Sequence, residues 1–68
     1  MESELTRFLT LLNHTVEHNK EHIEKLKNLA KKAQELGKTE AHDDIVKGVE
    51  QMSRANEALQ NALKGLKQ

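Results

Sequence analysis

Residues 36–39 read Leu-Gly-Lys-Thr, the one strong interruption in a chain otherwise patterned for helix. Glycine can take the left-handed conformation that ends a helix, and a threonine side chain can accept from the free amides that open the next one. The reading is therefore a turn over residues 37–39 that joins a helix over about residues 4–36 to a second over about residues 40–66. Charge placement agrees. Glu2 and Glu4 precede Lys31 and Lys32 in the first segment, while Glu40, Asp43 and Asp44 precede Lys64 and Lys67 in the second, so each segment complements a helix dipole.

On either side of the turn the apolar residues fall into heptads. Leu5, Leu9, Leu12, Val16, Asn19, Ile23, Leu26, Ala30 and Ala33 are spaced alternately by four and three residues, and His42, Ile45, Val49, Met52, Asn56, Leu59, Leu63 and Leu66 follow the same rule. Folding the chain back at Gly37 brings residues equally far from the turn into the same layer. Ala30 then meets Ile45, Leu26 meets Val49, Ile23 meets Met52, Val16 meets Leu59, Leu12 meets Leu63 and Leu9 meets Leu66. The two polar members, Asn19 and Asn56, also fall opposite each other. A buried amide without a partner costs about 1–3 kcal/mol, so this coincidence singles out one register and assigns both asparagines to setting it. The fold class expected is all-α: an antiparallel, coiled-coil-like two-helix hairpin forming one domain over residues 1–68.

Composition narrows the function classes. The chain has 68 residues, no Pro, no Cys, a single aromatic residue, and eleven basic against eleven acidic side chains. Without cysteine there is no disulfide framework, thiolate metal site or cysteine nucleophile. A zero net charge argues against nucleic acid, and the mixed Lys and Glu on the polar faces argue against a membrane surface. The longest stretch free of charged residues, Phe8 to Val16, is far shorter than the roughly 20 apolar residues of a membrane span. The opening Met1-Glu2-Ser3-Glu4 lacks the basic start of a secretory signal, so a cytoplasmic protein is expected.

One flank of the seam is apolar. Phe8, Leu29 and Leu36, with Leu11 one step further out, lie on the same side as the small residues Ala41, Gly48, Ala55, Ala58, Ala62 and Gly65 of the second helix. The opposite flank is polar apart from Val46. Two helices bury only one seam, which is marginal support for an independent fold. A homodimer forming a four-helix bundle, or a larger protein partner, is expected to cover Phe8, Leu11, Leu29, Leu36, Ala55, Ala58 and Ala62.

Residues 14–22, HTVEHNKEH, carry the chemistry. Side chains four apart on a helix stand one above the other, so His14 with His18, or His18 with His22, can close on one Zn, Ni or Co ion. Glu17 and Glu21 can add an oxygen ligand or orient a ring nitrogen. His14 and His22 are about 12 Å apart along the axis and cannot share an ion on a straight helix. His18 belongs to both pairs. The same three histidines also read as a solvated, pH-responsive stripe, and His42 as a half-buried histidine in the first turn of the second helix.

The string H-x-x-E-H, present at residues 14–18 and 18–22, is similar to the zinc motif of inverzincin proteases, where the two His are ligands and the Glu is the general base. Those enzymes need a large domain for a third ligand and a substrate cleft, so no enzyme and no catalytic residue is expected here. Over more of the chain, HTVEHNKEH followed by RANEALQNAL resembles short uncharacterised prokaryotic helical-hairpin proteins with a histidine-rich first helix. That resemblance implies metal handling. The functional expectation is a small metal-binding or metal-sensing protein; the alternative is an interaction module that docks through its apolar flank.

Overall fold

The computed structural model describes residues 3–67. Two helices, α1 (Glu4–Glu35) and α2 (Thr39–Lys67), pack side by side, and among the described residues only Ser3, Leu36, Gly37 and Lys38 lie outside them. The molecule is a rod of 54 × 19 × 12 Å with a radius of gyration of 15.8 Å. A globular chain of this length would have a radius of about 11 Å, so almost every residue is close to solvent.

Both ends of α1 are closed by local chemistry. Ser3 caps the start: its backbone is extended (φ −72°, ψ 161°), and its Oγ accepts from the Thr6 amide at 3.0 Å. Glu4 supplies the acidic first turn, while Glu2, expected beside it, lies outside the described residues. At the other end Gly37 takes φ +74°. Its amide donates to the Gln34 carbonyl at 3.0 Å, and the Lys38 amide donates to the Ala33 carbonyl at 2.9 Å, the paired bonds of a Schellman motif.

The turn lies one residue earlier than the sequence reading, at residues 36–38 instead of 37–39. Leu36 caps α1 instead of belonging to it, and α2 begins one residue earlier than expected. Thr39 is inside the first turn of α2: the His42 amide donates to the Lys38 carbonyl at 2.9 Å, so Lys38 stands at the position assigned to threonine. The cause is the Schellman closure itself, which already commits the Lys38 amide backwards to α1 and lets its carbonyl open α2 at once.

The seam between the helices is the whole core. Val16, Ile23, Ala30 and Ala33 of α1 and Asn56 and Leu63 of α2 are buried, and Leu9, Leu12, Asn19, Leu26, His42, Ile45, Val49, Met52 and Leu59 are half-buried. These are the heptad positions. The exceptions, Leu5 and Leu66, are exposed and lie at the open end of the hairpin.

At the centre of the rod sits a polar layer. The Asn19 Nδ2 donates to Asn56 Oδ1 at 3.0 Å, and the Asn56 Nδ2 donates across the interface to the Val16 backbone carbonyl at 3.2 Å. The matched asparagines of the sequence reading are thus in contact. Asn56, at 4% exposure, is the only buried polar residue among those described, and no described buried side-chain polar atom lacks a partner.

Two predictions follow from these closures. Asn56→Ala removes the acceptor for Asn19 and the donor for Val16, and should destabilise the hairpin by about 1–3 kcal/mol in thermal or urea melts. It should also loosen register, read as disulfide formation between Ile23→Cys and residues of α2 other than Met52→Cys. Gly37→Ala places a Cβ in the left-handed region, where the cost is about 1–2 kcal/mol, and should lower the melting midpoint although no atom obstructs the new methyl group.

Candidate metal centre

The middle of α1 positions the histidines because residues 14–22 form unbroken helix whose seam residues, Val16, Asn19 and Ile23, are held against α2. With those three turned inwards, His14, His18 and His22 are exposed. The spacing of four then acts as expected, but unequally. The His18 and His22 rings have centroids 4.5 Å apart, with Nε2 of one 2.8 Å from Nε2 of the other. The His14 and His18 rings are 6.1 Å apart.

A 2.8 Å separation between two ring nitrogens is a hydrogen bond, in which one Nε2–H donates and the other Nε2 accepts. It is also close to the span of two nitrogens bound to one cation. At metal–nitrogen distances of about 2.0–2.1 Å, neighbouring ligands at right angles are about 2.9 Å apart and tetrahedral ligands about 3.4 Å apart. For both Nε2 atoms to face one metal ion, the pair would open slightly and the donor ring would carry its proton on Nδ1 instead of Nε2.

The other expected ligands are placed differently. Glu17 Oε1 accepts from Lys20 Nζ at 3.4 Å, an exposed pair on the helix surface, and Glu21 is exposed. Among the described residues no three His, Cys, Asp or Glu side chains form a group able to hold a metal ion. One chain thus offers two converging nitrogens, with His14, Glu17 and Glu21 set around them. His42 is separate: it is half-buried in the first turn of α2, with Nδ1 3.1 Å from Asp43 Oδ1.

Beside the histidines lies the flank expected to be apolar. Phe8, Leu11, Leu29 and Leu36 are 53%, 64%, 55% and 63% exposed, and Ala55, Ala58 and Ala62 are exposed on α2. A Cβ built at Gly48 or Gly65 meets nothing within 4 Å, so the bulky residues of α1 do not fill the small-residue stripe of α2. A shallow depression at the turn is lined by Gly37, Lys38, Thr39, Glu40 and Ala41, far along the rod from the histidines.

Sequence reading missed the Ser3 cap, the Asp43 partner of His42, and the inequality of the two histidine pairs. Ser3-x-x-Thr6 was a readable signal for the first, since serine is a preferred cap. The inequality depends on ring rotamers, for which spacing carries no signal.

The fold and these surfaces define a small helical hairpin in which no helix is long and apolar enough to cross a membrane, judged on the described residues. Residues 8–66 match the family described as a domain of unknown function, DUF8180, and the chain belongs to that family. No curated protein and no solved structure matches it.

The unequal histidine pairs generate a prediction for the metal-free protein. In imidazole-detected NMR spectra His18→Ala should move the ring signals of His22, and His14→Ala should leave them almost unmoved. Equal responses to the two substitutions would mean that the three rings act as one stripe.

Proposed function

We propose that this chain is a small, non-enzymatic, cytoplasmic metal-binding or metal-sensing protein that holds Zn, Ni or Co through His18 and His22. The observation that carries the reading is the 2.8 Å approach of the two Nε2 atoms on one exposed helical face. Two neutral imidazoles form a chelate without the entropy of assembling a loop, because helix and seam already fix both side chains' Cα positions. His14, Glu17 and Glu21 are supporting groups: each is within a turn of the pair, and Glu17 would have to leave Lys20 to ligate. The resemblance to prokaryotic hairpin proteins with a histidine-rich first helix points the same way.

A second reading, a protein–protein interaction module, is favoured by a different observation, the exposure of Phe8, Leu11, Leu29 and Leu36 along one flank. It needs no metal. The partner would be a second copy or the helices of a larger protein.

Titration with Zn, Ni and Co separates the two. Backbone amide signals of residues 14–22 should shift selectively, and the melting temperature should rise, by the equivalent of about 2.7 kcal/mol at a hundredfold excess over the dissociation constant. His18→Ala and His22→Ala should each weaken binding by about tenfold or more, a loss of about 1.4 kcal/mol, and His14→Ala should have a smaller effect. Binding by His18→Ala equal to that of the parent would overturn the metal reading and leave the interaction module.

A further inference from the structure

The geometry points to a second copy of this chain as the source of the missing ligands, packed antiparallel along α1 so that His18 and His22 of both copies surround one metal ion on a two-fold axis. This inference rests on the metal reading above and adds the partner and the stoichiometry.

The supporting pattern is a second heptad seam on α1, one step around from the seam that faces α2. Phe8, Thr15, His22 and Leu29 recur every seven residues, with Leu36 next in step at the cap of α1, and Leu11 and His18 recur beside them. The histidine pair is therefore in line with the apolar flank and not on a separate face. Four of these residues are large, apolar and more than half exposed.

The central part of the seam, Leu11 to Leu29, is self-complementary about the midpoint between His18 and His22. A two-fold interface requires that the surface match itself when reversed. Leu11 and Leu29 are equally far from that midpoint, as are Thr15 and Lys25. Reversal puts Leu11 against Leu29 of the second copy, Leu29 against its Leu11, and the two histidine pairs against each other. Thr15 adds no unsatisfied group to such an interface, because its Oγ1 already donates to the Leu11 carbonyl at 3.0 Å. Phe8 meets Lys32 of the second copy, whose methylene stem can cover the ring while its ammonium stays in water. With a formal net charge of zero, two copies approach without net repulsion.

Site chemistry favours the same partner. Among the described residues one chain brings two nitrogens together but forms no group of three ligands, whereas a closed zinc site takes four. Two pairs related by the axis supply four imidazoles. Tetrahedral ligation would open each pair from 2.8 Å toward about 3.4 Å.

The test uses the full chain and Zn or Co salts, with calorimetry for stoichiometry and analytical ultracentrifugation for mass. The expected result is one metal per two chains and a metal-dependent shift to dimer that a chelator reverses. Leu11→Glu and Leu29→Glu, both at exposed positions, should keep the helical circular dichroism, abolish the dimer and weaken metal binding by about tenfold or more. Chains carrying Leu11→Cys mixed with chains carrying Leu29→Cys should crosslink when metal is present. Monomeric binding of one metal per chain, unchanged by Leu29→Glu, would overturn the second-copy inference and leave the metal reading intact. Absence of any Zn, Ni or Co binding would overturn both, and a metal-free dimer insensitive to Leu11→Glu and Leu29→Glu would overturn the interface described here.

Discussion

The register of the two helices depends on the Asn56 side chain more than on any apolar contact. A slip of one helix along the other would have to lengthen the three-residue connection at Leu36–Lys38 by unwinding helix. The heptad seam repeats itself and would not resist, since a shift of one heptad still sets apolar residues against mostly apolar ones. Asn56 removes that freedom. Its amide donates to the Val16 backbone carbonyl and its carbonyl accepts from Asn19, so a slipped hairpin would strand two amides and one bond to the helix backbone in a leucine-lined layer. Stability is given up for this, since a leucine pair in the same layer would bury more apolar surface. The bond to the Val16 carbonyl matters in a further way, because it ties α2 to the backbone of α1 and not merely to a side chain that could rotate away.

The seam could be read from sequence because it depends on spacing, and spacing survives translation into structure without knowledge of rotamers. Asn19 and Asn56 were legible as a pair, and Gly37 as the left-handed residue, for this reason. What the pattern did not contain was geometry smaller than a helical turn. Thr39 looks like a cap by residue type, yet the two Schellman bonds from Gly37 and Lys38 leave no room for a separate capping residue. Likewise three histidines at equal spacing are equivalent in sequence, whereas side-chain torsions bring the His22 ring onto His18 and leave His14 further away. Ser3 marks a different limit: acidic residues alone account for the start of α1 electrostatically, and the sequence pattern does not distinguish that from the hydrogen bond between the Thr6 amide and Ser3 Oγ.

A thin core explains why the remaining surface is patterned at all. The residues near the turn, Ala30 and Ala33, are small and buried, which lets the helices approach, while Leu5 and Leu66 at the open end remain exposed. Such a rod stabilises itself through one stripe per helix and leaves the rest of α1 free for other uses. The flank of Phe8, Leu11, Leu29 and Leu36 is not a continuation of that core, because all four are more than half exposed and no side chain reaches the space over Gly48 or Gly65.

The register lock and the histidine pair occupy the same turns of one helix. Val16, Asn19 and Ile23 face α2 while His18 and His22, interleaved with them in sequence, face outwards. An i, i+4 chelate can form only while those turns are helical, and they are held helical by the polar layer behind them, so a cation bound outside and the Asn56 contacts inside would stabilise one another through the backbone they share. Under the metal reading that coupling would be reciprocal: loosening Asn56 would weaken a bound cation as well, even though the Asn56 side chain of α2 contacts the opposite face of α1 from the imidazoles. The same two turns that decide how the helices align are the turns on which a ligand would act.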